Sequence, residues 1–274
     1  MSLGHVYERE GNVYHPTEWA GSPWSTRHQH GGAVNALFAT AALEAAAERE
    51  LRVARLTVDL FRAVPHAPLA LGWRFVHRGR RIARIEATLS EPTSQQVVSV
   101  ASALLLKDEA QLERSWDQTP PPPLPRSSAE PMKFMSGTRA DFPPGFHWSF
   151  EVALGQDEHG AGAWITTPLD WLPGQPMSPW QRSAAVADLT FGLSGRSLSQ
   201  ARGFADDAWR VPLINVDTTL YWEREPVGTW FGFRHPLVTA ERGTGLAEID
   251  LADCEGRLGR AIQALLANPA PKAT

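Results

Sequence analysis

Between Gly31 and Ala47 the chain is apolar almost without interruption; only Asn35, Thr40 and Glu44 break the run. Alanine-rich and free of proline, the stretch predicts a helix that is apolar nearly all round and must therefore be buried on most sides. The rhythm then changes. Leu56, Val58 and Leu60 alternate with Thr57 and Asp59, and Leu69, Leu71, Trp73 and Phe75 alternate with Ala70, Gly72 and Arg74. Ala83, Ile85, Ala87 and Leu89 alternate with Arg84, Glu86 and Thr88. Period two marks strands with one wet face, and the more uniform run from Val97 to Leu106 marks a strand covered on both.

The same order returns later in the chain. Ser178 stands as N-cap and Pro179 at the first position of a second helix predicted to run to about Gly192. Strand-like runs follow at residues 214–223, 230–235, 245–253 and 258–266, and short strand pairs precede each helix, in residues 6–13 and 147–167. Ala101-Ser102-Ala103-Leu104-Leu105 is echoed by Ala261-Ile262-Gln263-Ala264-Leu265, and Leu60-Phe61-Arg62 more loosely by Trp222-Glu223-Arg224. The chain reads as a duplication: strands, one long helix, four strands, twice. Between the copies, Asp117 to Ala129 carries Pro120 to Pro123, Leu124 and Pro125. Successive prolines lack amide donors and favour extended geometry, which predicts a linker crossing the surface. The expected division is an N-terminal domain at 1–110, a linker at 111–144 and a C-terminal domain at 145–274. The expected class is α+β, with two antiparallel sheets each wrapped around a long central helix.

Composition narrows the function classes. A net charge of −4 with both signs dispersed argues against nucleic acid as a partner. The longest apolar stretch is too short to span a bilayer, so no membrane insertion is expected. Charged residues early in the chain (Glu8, Arg9, Glu10, Glu18) argue against a signal peptide, and the single Cys254 forms no internal disulfide, so a cytoplasmic protein is expected.

Three motifs then line up. His30-Gly31-Gly32 opens the first helix; Thr57-Val58-Asp59-Leu60-Phe61-Arg62-Ala63-Val64-Pro65 follows it; Gly79-Arg80-Arg81 precedes a strand. In this order they resemble the acyl-CoA thioesterase II family. The second half resembles it too, through Ala187-Asp188-Leu189-Thr190-Phe191, Asn215-Val216-Asp217-Thr218-Thr219-Leu220-Tyr221-Trp222 and Ile262-Gln263-Ala264-Leu265-Leu266. The resemblance implies a double hotdog that hydrolyses acyl-CoA, with Asp188 and Gln263 at the family's catalytic aspartate and glutamine. Its catalytic threonine position is held here by Asn215, an amide that binds water but cannot relay a proton as a hydroxyl does. Thr218 and Thr219 are nearby substitutes.

A thioester is already activated, so its hydrolysis needs an aligned water, a base and donors for the oxyanion. Asp188, set about ten residues into the second helix among Ala184, Ala185, Val186, Ala187, Leu189 and Phe191, is the candidate base. Apolar surroundings raise a carboxylate's pKa; the competing reading is a structural aspartate bonded to a neighbouring strand. Gln263 either is satisfied structurally or holds the water. Asn215 and Asp217 share a strand face opposite Val216, and Asp217 is a second acid or an ion-pair partner. Gly31 and Gly32 offer helix N-terminal amides for the thioester oxygen, or simply permit tight packing. Asn35 aligns with Asp188 if Phe38 is matched to Phe191, which predicts one competent centre per chain.

Other signals are weaker. His28 and His30 form an H-x-H pair with no further ligands clustered around it, so no metal is expected, and no cofactor motif is present. Residues 77–84 hold five basic side chains, either a solvated hairpin or a contact to coenzyme A phosphates. Gly192-Leu193-Ser194-Gly195 lacks nucleophile-elbow spacing. The alternative to hydrolysis is a non-catalytic acyl or acyl-CoA binding protein on the same fold. A hydratase ranks below it, because no histidine closely follows Asp188. A homo-oligomer is expected.

Overall fold

The computed structural model describes residues 2–108, 123–132, 143–194 and 213–268. A hairpin of β1 (Tyr7–Glu10) and β2 (Val13–Pro16) precedes helix α1 (Gly31–Arg49); β3 (Arg52–Asp59), β4 (Leu69–Arg78), β5 (Ile82–Ser90) and β6 (Val97–Leu106) follow it. The later half contributes β7 (Glu130–Met132), β8 (Glu151–Asp157), β9 (Gly160–Thr166), a small hairpin of β10 (Asp170–Leu172) and β11 (Gln175–Pro176), and helix α2 (Pro179–Ala187). It ends in β12 (Leu213–Asn215), β13 (Asp217–Trp222), β14 (Phe231–Glu241), β15 (Thr244–Asp253) and β16 (Gly256–Ala267). Alternation in the sequence located the main strands well.

The two expected sheets are in fact one. Fourteen strands run β1-β2-β4-β5-β6-β3-β13-β16-β15-β14-β9-β8-β7, with β12 beside β16. The physical reason lies at the seam. β3 and β13 would each leave an unpaired edge, and their antiparallel pairing from Asp217 opposite Asp59 to Tyr221 opposite Arg55 satisfies both. The order is nearly palindromic about that seam, as a duplication requires. Thr57 and Thr219 stand opposite one another there, and the Thr219 hydroxyl donates to that of Thr57 at 3.2 Å. The sequence echo is in register too: Ala101 pairs with Val58 as Ala261 pairs with Leu220.

Helix α1 is buried continuously from Gly32 to Ala42 and ends where Glu50 takes a left-handed conformation at φ 52°. Helix α2 is shorter than its pattern predicts. Its start is as expected, with Ser178 and Gln181 forming a reciprocal capping box. Its last regular residue is Ala187, and Asp188 and Leu189 form a turn before residues 190–194 resume helical geometry. The two helices pack side by side and antiparallel: Gln181 Nε2 donates to Thr40 Oγ1 at 3.0 Å, and Asn35 Nδ2 to the Ala184 carbonyl at 3.3 Å. Within the stretch read as a linker, Pro120 to Pro122 lie outside the described residues. Beyond them Leu124 is buried against Ala129, Ala153 and Trp164, its carbonyl accepts from Trp164 Nε1 at 2.8 Å, and β7 pairs with β8 at the sheet edge.

The capping box fixes where α2 starts. Ser178→Ala is expected to cost about 1 kcal/mol, measured as a lowered midpoint in denaturant with an unchanged slope.

Candidate active site

A side-chain amide reaches into the break in α2. Gln263, fully buried on β16, donates through Nε2 to the Asp188 carbonyl at 3.2 Å and to Thr218 Oγ1 at 2.9 Å, with the Ala187 carbonyl at 3.4 Å. Its Oε1 accepts from the Phe191 amide at 2.9 Å. Gln263 thus satisfies backbone groups that an uninterrupted helix would have paired internally, and both of its N–H groups are used. It holds the turn that carries Asp188.

The Asp188 carboxylate points at the start of α1. Oδ1 accepts from Asn215 Nδ2 at 2.9 Å, and Oδ2 lies 3.2 Å from His30 Nδ1. Gly31 has no side chain where one would collide with this carboxylate, and a Cβ on Gly32 would lie 2.7 Å from the Ala185 carbonyl. Both glycines are therefore required for the helix ends to meet. The Gly32 amide donates to His30 Nδ1 at 3.0 Å and is also hydrogen-bonded to Asp188. Among the described residues the Gly31 amide, first in the helix, has no hydrogen-bond partner.

Burial dominates the electrostatics. It pushes the Asp188 carboxyl up from 3.8 to about 6, against the lowering effects of the Asn215 and Gly32 hydrogen bonds. It pushes His30 down from 6.5 to about 4. The cause is visible in the packing, since Phe146 and Phe150 lie 5.5 and 5.8 Å from the His30 ring and His147 stacks on it at 6.2 Å. Burial and the nearby His30 bring His147 down to about 3. Both imidazoles are neutral at physiological pH. His30 Nδ1 accepts from the Gly32 amide, so the neutral ring carries its proton on Nε2, and Nδ1 can bond Asp188 only while that carboxyl is protonated.

The remaining sequence candidates separate. Asn215 joins Asp188. Thr218, fully buried, touches Gln263 and not the carboxylate. Asp217 diverges from Asn215 because the strand breaks at Val216: its Oδ1 accepts from the Ala264 amide at 2.6 Å, and burial raises its pKa. Asn35 donates to the Ala184 carbonyl, one helical turn along the helix contact from Asp188. His30 was missed as a site residue because the H-x-H pair was weighed only for metal. The available signal was its position: an N-cap is normally Ser, Thr, Asp or Asn. Among the described residues no group of three or more His, Cys, Asp and Glu side chains is placed to hold a metal ion, and no helix is long and apolar enough to cross a membrane.

This geometry can be set beside known proteins. Residues 20–106 match the acyl-CoA thioesterase N-terminal domain and residues 111–267 the acyl-CoA thioesterase C-terminal domain. The chain belongs to the acyl-CoA thioesterase family. No curated protein matches this thioesterase by sequence. Solved structures resemble it in fold at low identity. A putative thioesterase from Novosphingobium aromaticivorans is 18% identical, with 97% and 99% of the two chains covered and a TM-score of 0.67. Acyl-CoA thioesterase II TesB2 from Mycobacterium marinum is 14% identical, with coverage of 97% and 96% and a TM-score of 0.61. A conserved protein of unknown function with a hotdog fold from Alicyclobacillus acidocaldarius is 18% identical over 97% and 96%, also at 0.61. The thioesterase shares the hotdog fold.

In the thioesterase, Asp188 has a folded pKa of about 6, above the usual 3.8. The folded chain therefore binds this proton more tightly than the unfolded chain. The group's contribution favours folding below 3.8 and is lost as pH rises through about 6. Asp188→Asn should stabilise the protein at pH 8 by at most about 3 kcal/mol and leave it unchanged near pH 3. Thermal unfolding at both pH values checks this; equal midpoints at the higher pH would contradict it.

Proposed function

We propose that this thioesterase hydrolyses acyl-CoA with Asp188 as general base, and the observation that carries the reading is a buried carboxylate with a raised pKa at the mouth of α1. Asp188 takes a proton from a water whose oxygen attacks the thioester carbon. The oxyanion of the tetrahedral intermediate receives the Gly31 amide and the positive end of the α1 dipole. Collapse breaks the carbon–sulfur bond, and the proton held on Asp188 passes to the departing thiolate, leaving free acid and coenzyme A. Asn215 orients the carboxylate in place of a hydroxyl. His30, its Nδ1 held as an acceptor by the Gly32 amide, faces the carboxyl, and Gln263 with Thr218 secures the turn. Asp217 supports the strand break and is not assigned a contact to substrate. The chain is read as two hotdog units, 1–110 and 145–274, joined by 111–144; the repeated strand order supports this.

Incubation with acyl-CoA esters of graded chain length and a thiol reagent should release free thiol, and folded protein that releases none across the panel would refute the proposal. Asp188→Asn should lower kcat by about 10²-fold or more. The rate should rise with pH through about 6, where the base becomes ionised. Asn215→Ala removes a hydrogen bond that lowers the Asp188 pKa, so its acid limb should move to higher pH and its loss of activity should be greater at pH 6 than at pH 9. An unmoved limb would separate Asn215 from the base.

A further inference from the structure

We propose that the cleft formed by Arg27, His28 and Arg62 binds the phosphates of the nucleotide end of coenzyme A; this rests on the reading of Asp188 as the site of thioester cleavage. The cleft is an open surface depression of about 460 Å³, lined by Arg27, His28, Arg62, Pro65, Glu91 and Gln96. Arg27 and Arg62 are exposed, and neither guanidinium has a hydrogen-bond or ion-pair partner among the described residues. In a protein carrying a net charge of −4, two uncommitted arginines facing one cavity form a local anion site.

Its location ties it to the catalytic groups. The segment before α1 is knitted to the segment after β3: the Gln29 amide donates to the Val64 carbonyl at 2.8 Å, and His66 to Arg27 at 2.8 Å. His28 bridges Pro65. Two residues beyond His28 stands His30, whose ring meets Asp188; two residues of extended chain span at most about 7 Å. On the other wall, Leu60, two residues before Arg62, donates its amide to the Val216 carbonyl at 2.8 Å, beside Asn215. The cleft and the carboxylate therefore lie near the same end of α1. A thioester at Asp188 would lead its pantetheine arm toward this cleft.

The basic hairpin at residues 77–84 does not compete for the role. Its tip lies at the far end of α1, where Arg78 pairs with Glu48 and Arg49 donates to the Gly79 carbonyl at 3.4 Å. The 19 residues of α1 put roughly 28 Å between the two ends, at about 1.5 Å per residue. Arg78 is moreover already neutralised by its partner. Next to Arg62 in the chain, Phe61 is 57% exposed. Glu91, held by the Ser94 hydroxyl at 2.8 Å, adds an acceptor suited to an exocyclic amino group and not to a phosphate.

The test compares substrates with and without the nucleotide. Arg27→Ala/Arg62→Ala should raise KM for an acyl-CoA by about tenfold or more, with kcat little changed. The same acyl group on pantetheine, which carries no phosphate, should be hydrolysed equally by wild type and variant. Calorimetry with adenosine 3′,5′-bisphosphate should show binding to wild type and its loss in the variant. That measurement needs no turnover, so binding that depends on both arginines in a protein without hydrolytic activity would uphold the cleft while refuting the catalytic reading. Unchanged KM for acyl-CoA would overturn the cleft and leave catalysis intact, as would equal losses on both substrates or bisphosphate binding that survives the substitutions.

Discussion

A carboxylate without a cationic partner is costly to bury, and the centre of this protein is built around that cost. Asp188 sits where the end of α2 meets the beginning of α1. The same closeness that excludes water brings an α1 amide, the Asn215 side chain and the positive end of the α1 dipole to the carboxylate. These contacts are insufficient to restore an ordinary pKa, and the group titrates near neutrality, as the base proposed for it requires. Each nearby feature serves the approach of the two helices. Gly31 and Gly32 let them touch, small alanines line the contact, and Gln263 satisfies the backbone that α2 exposes by stopping early.

The seam between β3 and β13 matters for the same reason. It turns two similar halves into one sheet and fixes the end of β3 beside Val216, where the later strand breaks. The break sends Asn215 toward Asp188 and Asp217 toward the Ala264 amide. Duplication thus supplies the frame and local divergence supplies the chemistry. On α1, Asn35 bonds the Ala184 carbonyl, a neutral contact with no acid–base capacity at that place.

Much of this was legible in the sequence because it depends on local periodicity. Alternation located the strands after each helix, and uniform apolarity identified α1 as buried. Ser178 and Pro179 marked the start of α2. Asp188 stood out as a carboxylate among alanines, and its raised pKa follows from that setting. Asn215 was identified as its neighbour by motif order alone. The end of α2 was not legible: the apolar pattern continues past Ala187, and the helix stops because an amide from a distant strand competes for its backbone.

By itself, then, the sequence determined the elements, their repetition and the identity of the buried carboxylate, since each is encoded by residues adjacent along the chain. Tertiary structure alone decided that the two sheets are continuous, because edge pairing depends on the meeting of strands far apart in sequence. It likewise decided that Gln263 braces a turn, that Asp217 serves the backbone, and that His30 stands against Asp188. A histidine preceding the first helix and an aspartate ending the second carry no mark of one another, and only the antiparallel packing of α1 on α2 brings them within 3.2 Å.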